Sequence, residues 1–222
     1  MASSRILRGL YAITPPMAET AALSRAAGEC LAGGAALLQY RAKQAPPGLA
    51  LTQARELRRL CREHGALFIV NDSPELALAV EADGVHLGRD DEEPRAARLL
   101  LPVAVIGVSC YDRPEHAREA AAAGADYVAI GSVFASGTKP SAARAPLEAI
   151  AQARSASGLP VAAIGGITPD NAAALIECGA DMLAVVSAVF AASDVRAAAR
   201  RFARLFEQSQ GVVHARAQPR AV

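Results

Sequence analysis

Short apolar runs rich in valine, isoleucine and leucine recur along the chain at nearly regular intervals. Each run has five to eight residues and few polar interruptions, which is typical of strands that are buried on both faces of a parallel sheet. The pattern predicts eight strands: LYAIT (10–14), ALLQYR (36–41), LFIVND (67–72), GVHLG (84–88), VIGVSC (105–110), YVAIGSV (127–133), VAAIGGI (161–167) and MLAVVSAV (182–189).

Alanine-rich segments with helical spacing lie between these runs. The spacing of apolar residues predicts helices over 51–65, 168–179 and 193–208. The second of these has Thr168 in the position of an N-cap and Pro169 at the first helical position, which is a typical helix start.

Eight strand–helix units within about 200 residues predict a single (β/α)8 barrel, the TIM barrel. A doubly wound open sheet is the alternative. A connector of similar sequence, with a helix end, a glycine and small residues before the next strand, recurs at 32–35, 81–85, 122–128 and 177–183. This recurrence favours the repeating barrel unit.

The chain shows no linker that would divide it. We therefore expect one barrel domain over residues 1–208. The segment 209–222 has weak periodicity and a proline, and we expect it to be a disordered or loosely attached tail.

Composition excludes several classes of protein. The net charge of +1 over 222 residues gives no basic patch, and aromatic residues make up 4% with no tryptophan, so we expect no nucleic-acid partner. No apolar window approaches the roughly 20 residues of a membrane span, so we expect no membrane partner. The four cysteines form no CxxC pair, which favours free thiols and a cytoplasmic location.

Two carboxylates follow neighbouring predicted strands. Asp72 ends the third strand and Asp91 follows the fourth, so both would reach the same rim of a barrel. A pair of aspartates suits Mg2+, which takes its remaining ligands from water and substrate phosphate. The alternatives are that Asp72 is the N-cap of the next helix and that Asp91 stabilises a helix dipole.

Cations follow the second strand. Gln39, Arg41 and Lys43 alternate, so they share one side if the strand continues, and arginine and lysine there would bind phosphate. The alternative is a solvated loop. Lys43 and Lys139 are also the only two lysines of the chain, and both follow strands, which favours a functional role over chance.

Two loops have the composition of anion sites. Ser136 and Thr138 flank a glycine and can offer hydroxyls and backbone N–H groups to an anion. Gly165 and Gly166 follow the seventh strand, where phosphate sites of such barrels are often found.

Three further residues have less specific patterns. His86 lies within the fourth strand, where a packed or hydrogen-bonded histidine is commoner than a general base. Ser109 and Cys110 end the fifth strand without an obvious histidine partner, so we predict no nucleophile there, and Cys110 is expected to be a small buried side chain.

Taken together, LLQYRAK, FIVND, GVHLGRDD, IGVSC, AIGSVFASGTKP, VAAIGGIT and VVSAV resemble the thiamine phosphate synthase family over residues 10 to 190. The resemblance implies a (β/α)8 transferase that uses Mg2+. It implies two small phosphorylated substrates, a pyrimidine methyl diphosphate and a thiazole ethyl phosphate, which are joined to thiamine phosphate with release of pyrophosphate.

The resemblance also implies roles for individual residues. Arg41, Lys43 and Lys139 would neutralise the leaving diphosphate, and Asp72 and Asp91 would bind Mg2+. The predicted pyrimidine-diphosphate ligands are Gln39, Arg41, Lys43, Asn71, Ser109 and Lys139; the predicted thiazole-phosphate ligands are Ser136, Thr138, Gly165, Gly166, Val186 and Ser187.

The chain departs from the family at three positions. The family often has Gln at Arg89, Pro at Ser132 and Thr at Ser136. We expect Arg89 either to pair with Asp91 or to contact pyrophosphate. Two other functions stay open: a related thiazole tautomerase, and a non-catalytic barrel that binds a phosphorylated ligand. The sequence leaves the oligomeric state open, with a homo-oligomer as one alternative.

Overall fold

The computed structural model describes residues 6–135 and 143–216, with side chains as far as Ser209. Eight parallel strands form a closed barrel in chain order. They are β1 (Gly9–Ile13), β2 (Leu37–Tyr40), β3 (Leu67–Asn71), β4 (Gly84–Leu87), β5 (Val105–Tyr111), β6 (Tyr127–Ile130), β7 (Val161–Ile164) and β8 (Met182–Val185).

Helices follow the strands on the outside of the barrel. They are α1 (Thr20–Ala32), α2 (Pro47–His64), α3 (Pro74–Ala79), α4 (Pro94–Leu100), α5 (His116–Ala122), α6 (Glu148–Ser157), α7 (Ala172–Glu177), α8 (Ser187–Phe190) and α9 (Val195–Arg216). In the described part of the chain, none of them is long and apolar enough to cross a membrane.

Closure of the barrel decides between the two predicted architectures. Strand β1 pairs in parallel with β2 on one side and with β8 on the other. An open sheet would leave both of its outer strands with one neighbour each, so the doubly wound alternative is wrong and the (β/α)8 barrel is confirmed.

The core has two layers because side chains alternate along each strand. Tyr11, Leu37 and Tyr127 belong to the cluster inside the barrel. Leu10 and Leu38, one residue away from two of them, belong to the larger cluster between the sheet and the helices. Both faces of the strands are therefore buried, which explains the nearly continuous apolar runs of the sequence.

The last three strands are shorter than predicted. Strands β6, β7 and β8 end at Ile130, Ile164 and Val185, three to four residues before the ends of the apolar runs. Each run ends on an apolar residue that is buried outside the strand: Val133, Ile167 and Val189. An apolar residue at these positions therefore indicates a buried side chain, but it does not indicate that the strand continues.

The helix predicted over 168–179 begins later than expected. Asn171, and not Thr168, is its N-cap, and Ala172 is the first helical residue of α7. Thr168 instead lies in a turn, in which its N–H donates to Asn171 Oδ1 at 2.9 Å. The local bond between these two residues replaces the predicted helix start.

Three of the four recurring connectors carry an aspartate that joins neighbouring strands at the N-terminal end of the barrel. Asp181 Oδ2 accepts the N–H of Val161 at 2.9 Å, and the N–H of Asp181 donates to the carbonyl of Val161 at 2.9 Å. Arg154 pairs with the same carboxylate at 2.5 Å. Asp83 (with Phe68 and Arg58) and Asp126 (with Ile106 and Arg98) repeat this arrangement.

The final helix continues past the predicted end of the domain. Helix α9 ends at Arg216, so the boundary that we placed after residue 208 falls inside it, and Ser209 Oγ accepts a hydrogen bond from Arg8 at 2.8 Å. Residues 217–222 lie outside the described residues.

The four cysteines are free thiols. Cys110 is fully buried, as predicted, and burial raises the pKa of its thiol to about 12. A thiol with such a high pKa is a poor nucleophile at neutral pH.

Candidate active site

A cavity of about 920 Å³ opens at the C-terminal ends of the strands. This is the end of a (β/α)8 barrel at which active sites are found. The structure brings eleven of the predicted site residues to the wall of this cavity: Gln39, Arg41, Lys43, Asn71, Asp72, Asp91, Ser109, Gly165, Gly166, Val186 and Ser187. The other three, Ser136, Thr138 and Lys139, lie outside the described residues.

Asp72 faces this cavity from the end of β3 and does not cap the following helix. Ser73 is the N-cap of α3, and its hydroxyl accepts the N–H of Leu76 at 3.1 Å. Asp72 has a φ of 68°, a left-handed conformation that aspartate tolerates better than most residues. Its carboxylate is therefore available to the cavity.

Asp91 lies beside Asp72 and outside any helix. Helix α4 begins three residues later, so Asp91 does not lie in its first turn, where the helix-dipole alternative placed it. Burial raises the pKa of Asp91, and the neighbouring carboxylate of Asp72 raises it further, whereas the hydrogen bond from the Gly88 N–H at 2.6 Å lowers it. Two carboxylates in contact repel each other, which makes this pair a site for a cation or a shared proton.

Lys43 supplies one cation to the acidic pair. Its Nζ lies 2.8 Å from Asp72 Oδ2. The second strand does not continue as far as Lys43: β2 ends at Tyr40, and both Arg41 and Lys43 stand in the loop, as the alternative for this segment had it. They nevertheless line the same cavity, and the N–H of Arg41 is held by Thr14 Oγ1 at 3.0 Å.

Arg89 stacks on an aromatic ring at the mouth of the cavity. Its guanidinium carbon lies 4.8 Å from the centre of the Tyr111 ring, and its N–H donates to the Tyr111 hydroxyl at 3.0 Å. Tyr111 has a φ of 55°, an uncommon value for a bulky residue. Of the two expectations for Arg89, an ion pair with Asp91 is not the contact that the structure shows.

A continuous chain of hydrogen bonds crosses the floor of the cavity. Gln39 Nε2 donates to the Tyr11 hydroxyl at 2.7 Å, which lies 2.7 Å from the Tyr127 hydroxyl. Tyr127 contacts His86 Nδ1 at 2.9 Å, and His86 Nε2 lies 2.9 Å from Ser109 Oγ. The interpretation of His86 as a hydrogen-bonded residue is confirmed. The sequence showed no obvious histidine partner for Ser109, but His86 is one, because the two residues lie on the adjacent strands β4 and β5.

His86 is neutral at neutral pH. Burial lowers its pKa to about 4, although the charge of Asp72 opposes this shift. Burial also raises the pKa values of Tyr11 and Tyr127 above the usual range for tyrosine. All three side chains therefore stay uncharged at neutral pH, and their hydrogen bonds are between neutral groups.

The Tyr127 side chain reaches His86 by passing over a glycine of the strand between them. In the parallel register, Gly107 of β5 stands between His86 of β4 and Tyr127 of β6. A Cβ on Gly107 would lie 2.0 Å from Tyr127 Cζ. The glycine thus gives the tyrosine ring its path over the middle strand.

Gly165 and Gly166 form a tight loop after β7. Their φ values are 105° and 61°. A Cβ on Gly165 would lie 2.1 Å from Ser132 Oγ, and a Cβ on Gly166 would lie 2.3 Å from the Ala135 carbonyl oxygen. Packing against the loop after β6 thus requires both glycines, whatever ligand they meet. Val186 and Ser187 face the same cavity from the end of β8 and the start of α8.

The donor set fits a metal ion that is only partly held by protein. Within residues 6–135 and 143–216, no three histidine, cysteine, aspartate or glutamate side chains converge as a metal site. Asp72 and Asp91 together offer two carboxylates, so an ion there would need water or substrate oxygens, as Mg2+ accepts in phosphate-binding enzymes.

Sequence reasoning missed the two interior tyrosines. Tyr11 lines the cavity, and Tyr127 connects it to His86. The available signal was a hydroxyl-bearing aromatic residue within an otherwise aliphatic strand, since a buried tyrosine hydroxyl needs a hydrogen-bond partner.

Together, the closed barrel and the charged cavity at the C-terminal ends of its strands define a (β/α)8-barrel enzyme. Residues 10–189 match the sequence profile of the family described as thiamine monophosphate synthase. A thiamine-phosphate synthase of Azoarcus sp. strain BH72 is 56% identical over 201 residues, covering 90% of this chain and 98% of the relative. The corresponding protein of Chromobacterium violaceum is also 56% identical over 201 residues, covering 90% and 97%.

A solved structure agrees with these sequence matches. The thiamine phosphate pyrophosphorylase of Pyrococcus furiosus superposes with a TM-score of 0.83 at 39% identity, covering 93% of this chain and 98% of that one. A 3-hexulose-6-phosphate synthase, with a TM-score of 0.67 and 17% identity, shares the fold. The chain belongs to the thiamine monophosphate synthase family, and it is a transferase of thiamine biosynthesis.

Proposed function

We propose that the enzyme joins 4-amino-2-methyl-5-(diphosphooxymethyl)pyrimidine to 4-methyl-5-(2-phosphooxyethyl)thiazole. In this reaction the bond between the pyrimidine methylene carbon and the diphosphate oxygen breaks, and its electron pair leaves with pyrophosphate. The lone pair of the thiazole nitrogen then forms the new carbon–nitrogen bond. The products are thiamine phosphate and pyrophosphate.

The observation that carries this proposal is the meeting of Lys43, Asp72 and Asp91 in one cavity. A departing diphosphate develops negative charge, and preorganised cations at its oxygens stabilise that charge. Arg41 and Lys43 stand at this rim, and Lys139 is assigned the same task from the sequence. Removal of one such contact typically costs about 10²–10³ in rate.

The volume of the cavity supports two small substrates. At about 920 Å³ it lies near the upper end of the usual range for ligand sites. The loop after β7 and the start of α8 border the same space as the charged rim. We assign the binding of the thiazole phosphate to Gly165, Gly166, Val186 and Ser187. Binding there would orient the thiazole nitrogen toward the methylene carbon of the pyrimidine.

We also propose that Asp72 and Asp91 hold Mg2+ together with diphosphate oxygens. When bound, the ion supplies positive charge to the leaving group. Without it, these two carboxylates would repel a diphosphate, so Asp72 and Asp91 fit the proposed substrate only if a cation accompanies it.

The proposed chemistry needs no nucleophilic side chain and little acid–base catalysis. The amino group of the pyrimidine can stabilise a cation at the methylene carbon, so departure of the diphosphate can precede attack. The neutral His86 and the hydrogen-bonded Ser109 are consistent with this dissociative path.

We further propose a cytoplasmic location for the enzyme. Cys30, Cys61, Cys110 and Cys178 are all free thiols, and free thiols are usual in a reducing compartment.

A coupled assay tests the reaction. Purified protein is incubated with both substrates and Mg2+, and pyrophosphate and thiamine phosphate are measured together. We expect equal amounts of both products, and none when either substrate is omitted or the metal is chelated. Turnover after chelation would contradict the metal assignment, and pyrophosphate without the thiazole would indicate a hydrolase instead.

A further inference from the structure

The hydrogen-bond chain under the cavity has a direction. We propose that Gln39, Tyr11, Tyr127 and His86 form a one-way relay that makes the Ser109 hydroxyl a donor toward the ligand. In this proposal Tyr11, Tyr127 and His86 are positioning residues, which act through Ser109. The identity of the group that Ser109 meets, a diphosphate oxygen, rests on the proposed function; the direction of the relay does not.

The direction begins at Gln39. Its Nε2 donates to the Tyr11 oxygen at 2.7 Å, and an amide nitrogen cannot accept a hydrogen bond. The single proton of Tyr11 therefore goes to the Tyr127 oxygen, 2.7 Å away. The proton of Tyr127 in turn goes to His86 Nδ1, 2.9 Å away.

The tautomer of His86 follows from this direction. A neutral imidazole carries one proton, and Nδ1 accepts a bond, so the proton is on Nε2. Nε2–H then donates to Ser109 Oγ at 2.9 Å. Because Nδ1 accepts the proton of Tyr127, it carries no proton of its own, and the ring is neutral.

Ser109 is thereby left with its own proton free. Its oxygen accepts from His86, so its O–H can point into the cavity, which Ser109 lines. The arrangement is the reverse of a serine nucleophile, in which the histidine accepts the serine proton. A hydroxyl held in this way suits an anionic acceptor.

Burial holds the relay in this order. Tyr11 is 1% exposed and Tyr127 is fully buried, so their hydroxyls have little access to water that would offer other partners. Gly107 provides the gap through which the Tyr127 ring reaches His86. A Cβ at position 107 would lie 2.0 Å from Tyr127 Cζ, so a side chain there would displace the ring from His86.

The position of the ring proton is the first test. The whole chain is labelled with ¹⁵N-histidine, and correlations between ring nitrogens and carbon-bound ring protons identify the tautomer at neutral pH; His86→Gln assigns the signal. We expect the Nε2–H form. The Nδ1–H form would mean that the relay runs the other way and would overturn the proposal, as would an imidazolium.

Removal of one hydroxyl interrupts the relay. In Tyr127→Phe, we expect the His86 nitrogen signals to shift toward a mixture of tautomers. Tyr40→Phe is the matched control, because Tyr40 also loses a buried hydroxyl contact, to Gln53 Oε1 at 2.7 Å, but lies outside the relay. Unchanged signals in Tyr127→Phe would overturn the proposal. If that variant does not fold, Tyr11→Phe interrupts the relay one step earlier.

A double-mutant cycle tests the role of the relay in turnover. We expect Tyr127→Phe to lower kcat/KM for pyrophosphate release about tenfold in the wild-type background. In the Ser109→Ala background, the same substitution should have a much smaller effect. Equal effects in both backgrounds would show that Tyr127 does not act through Ser109. If the wild-type enzyme releases no pyrophosphate, the proposed function fails, while the tautomer measurement still decides the direction of the relay.

Discussion

The Nζ of Lys43 lies 2.8 Å from Oδ2 of Asp72, which joins a predicted diphosphate ligand to a predicted metal ligand. The side chains are 54% and 26% exposed, so this ion pair contributes little to the stability of the fold. The ion pair matters instead for metal binding, because Lys43 and a divalent cation would compete for the Asp72 carboxylate.

This competition gives the first prediction. Without substrate, Lys43→Gln should bind Mg2+ roughly two- to fivefold more tightly, since an exposed ion pair of about 0.5–1 kcal/mol is removed. Turnover with both substrates should fall, because the same lysine is assigned to the leaving group. Calorimetric titration of the free protein and the coupled assay measure the two effects separately. Arg62→Gln, which removes an exposed cation near the other end of α2, should change neither.

The second prediction separates two adjacent aspartates. Asp91→Asn should lower kcat by about 10²–10³ and leave the fold intact, because asparagine can still accept the Gly88 N–H. Asp90→Asn should have a much smaller effect, since Asp90 is more exposed than Asp91. Asp72→Asn should resemble Asp91→Asn. Steady-state rates and circular dichroism of the three variants test this prediction. Equal losses of kcat in Asp90→Asn and Asp91→Asn would contradict the assignment of Asp91, rather than Asp90, as the metal ligand.

The third prediction concerns acid stability. The pKa of His86 is about 4 in the folded protein, below the roughly 6.5 of an unfolded histidine, so the unfolded state binds more protons between these values. The free energy of unfolding should therefore fall as pH drops from about 6.5, by roughly 3 kcal/mol at pH 4 from this residue. Urea denaturation across this range should show that the His86→Gln variant lacks this part of the slope. Parallel curves would argue against a buried neutral histidine.

The fourth prediction concerns space in the barrel. Gly107→Ala places a Cβ about 2.0 Å from Tyr127 Cζ and should destabilise the fold by about 3 kcal/mol or more. Gly28→Ala, in α1 with open space around its Cβ, should be neutral or stabilising by up to about 1 kcal/mol. Thermal unfolding of both variants gives the comparison. The Tyr127→Ala background should relieve much of the loss at 107; additive effects would show that the tyrosine ring is not the obstacle.

The fifth prediction concerns the aspartate in the recurring connector. Asp181→Ala should cost about 1–3 kcal/mol, because the Val161 N–H loses its side-chain acceptor and Arg154 loses its partner. Glu56→Ala, which breaks the exposed pair with Arg59, should cost less than about 1 kcal/mol. Denaturant midpoints test both. A loss at 181 as small as that at 56 would mean that the connector aspartate has no structural role.

Much of the site was predictable because it lies directly after strands. Asp72 and Asp91 follow β3 and β4, and parallel neighbours in a barrel bring their C-terminal ends to one rim. The hydrogen-bond chain was not predictable in the same way. His86 and Tyr127 are separated by 41 positions, and their contact depends on the register of β4, β5 and β6 and on the gap at Gly107.

The sequence by itself determined the eightfold alternation of strand and helix, since burial on both faces of a strand requires a nearly continuous apolar run. Only the tertiary structure decided that the sheet closes between β1 and β8. It also decided which polar side chains meet. Pairings across strands are set by register and closure, which depend on the packing of the whole barrel and leave no local pattern in the chain.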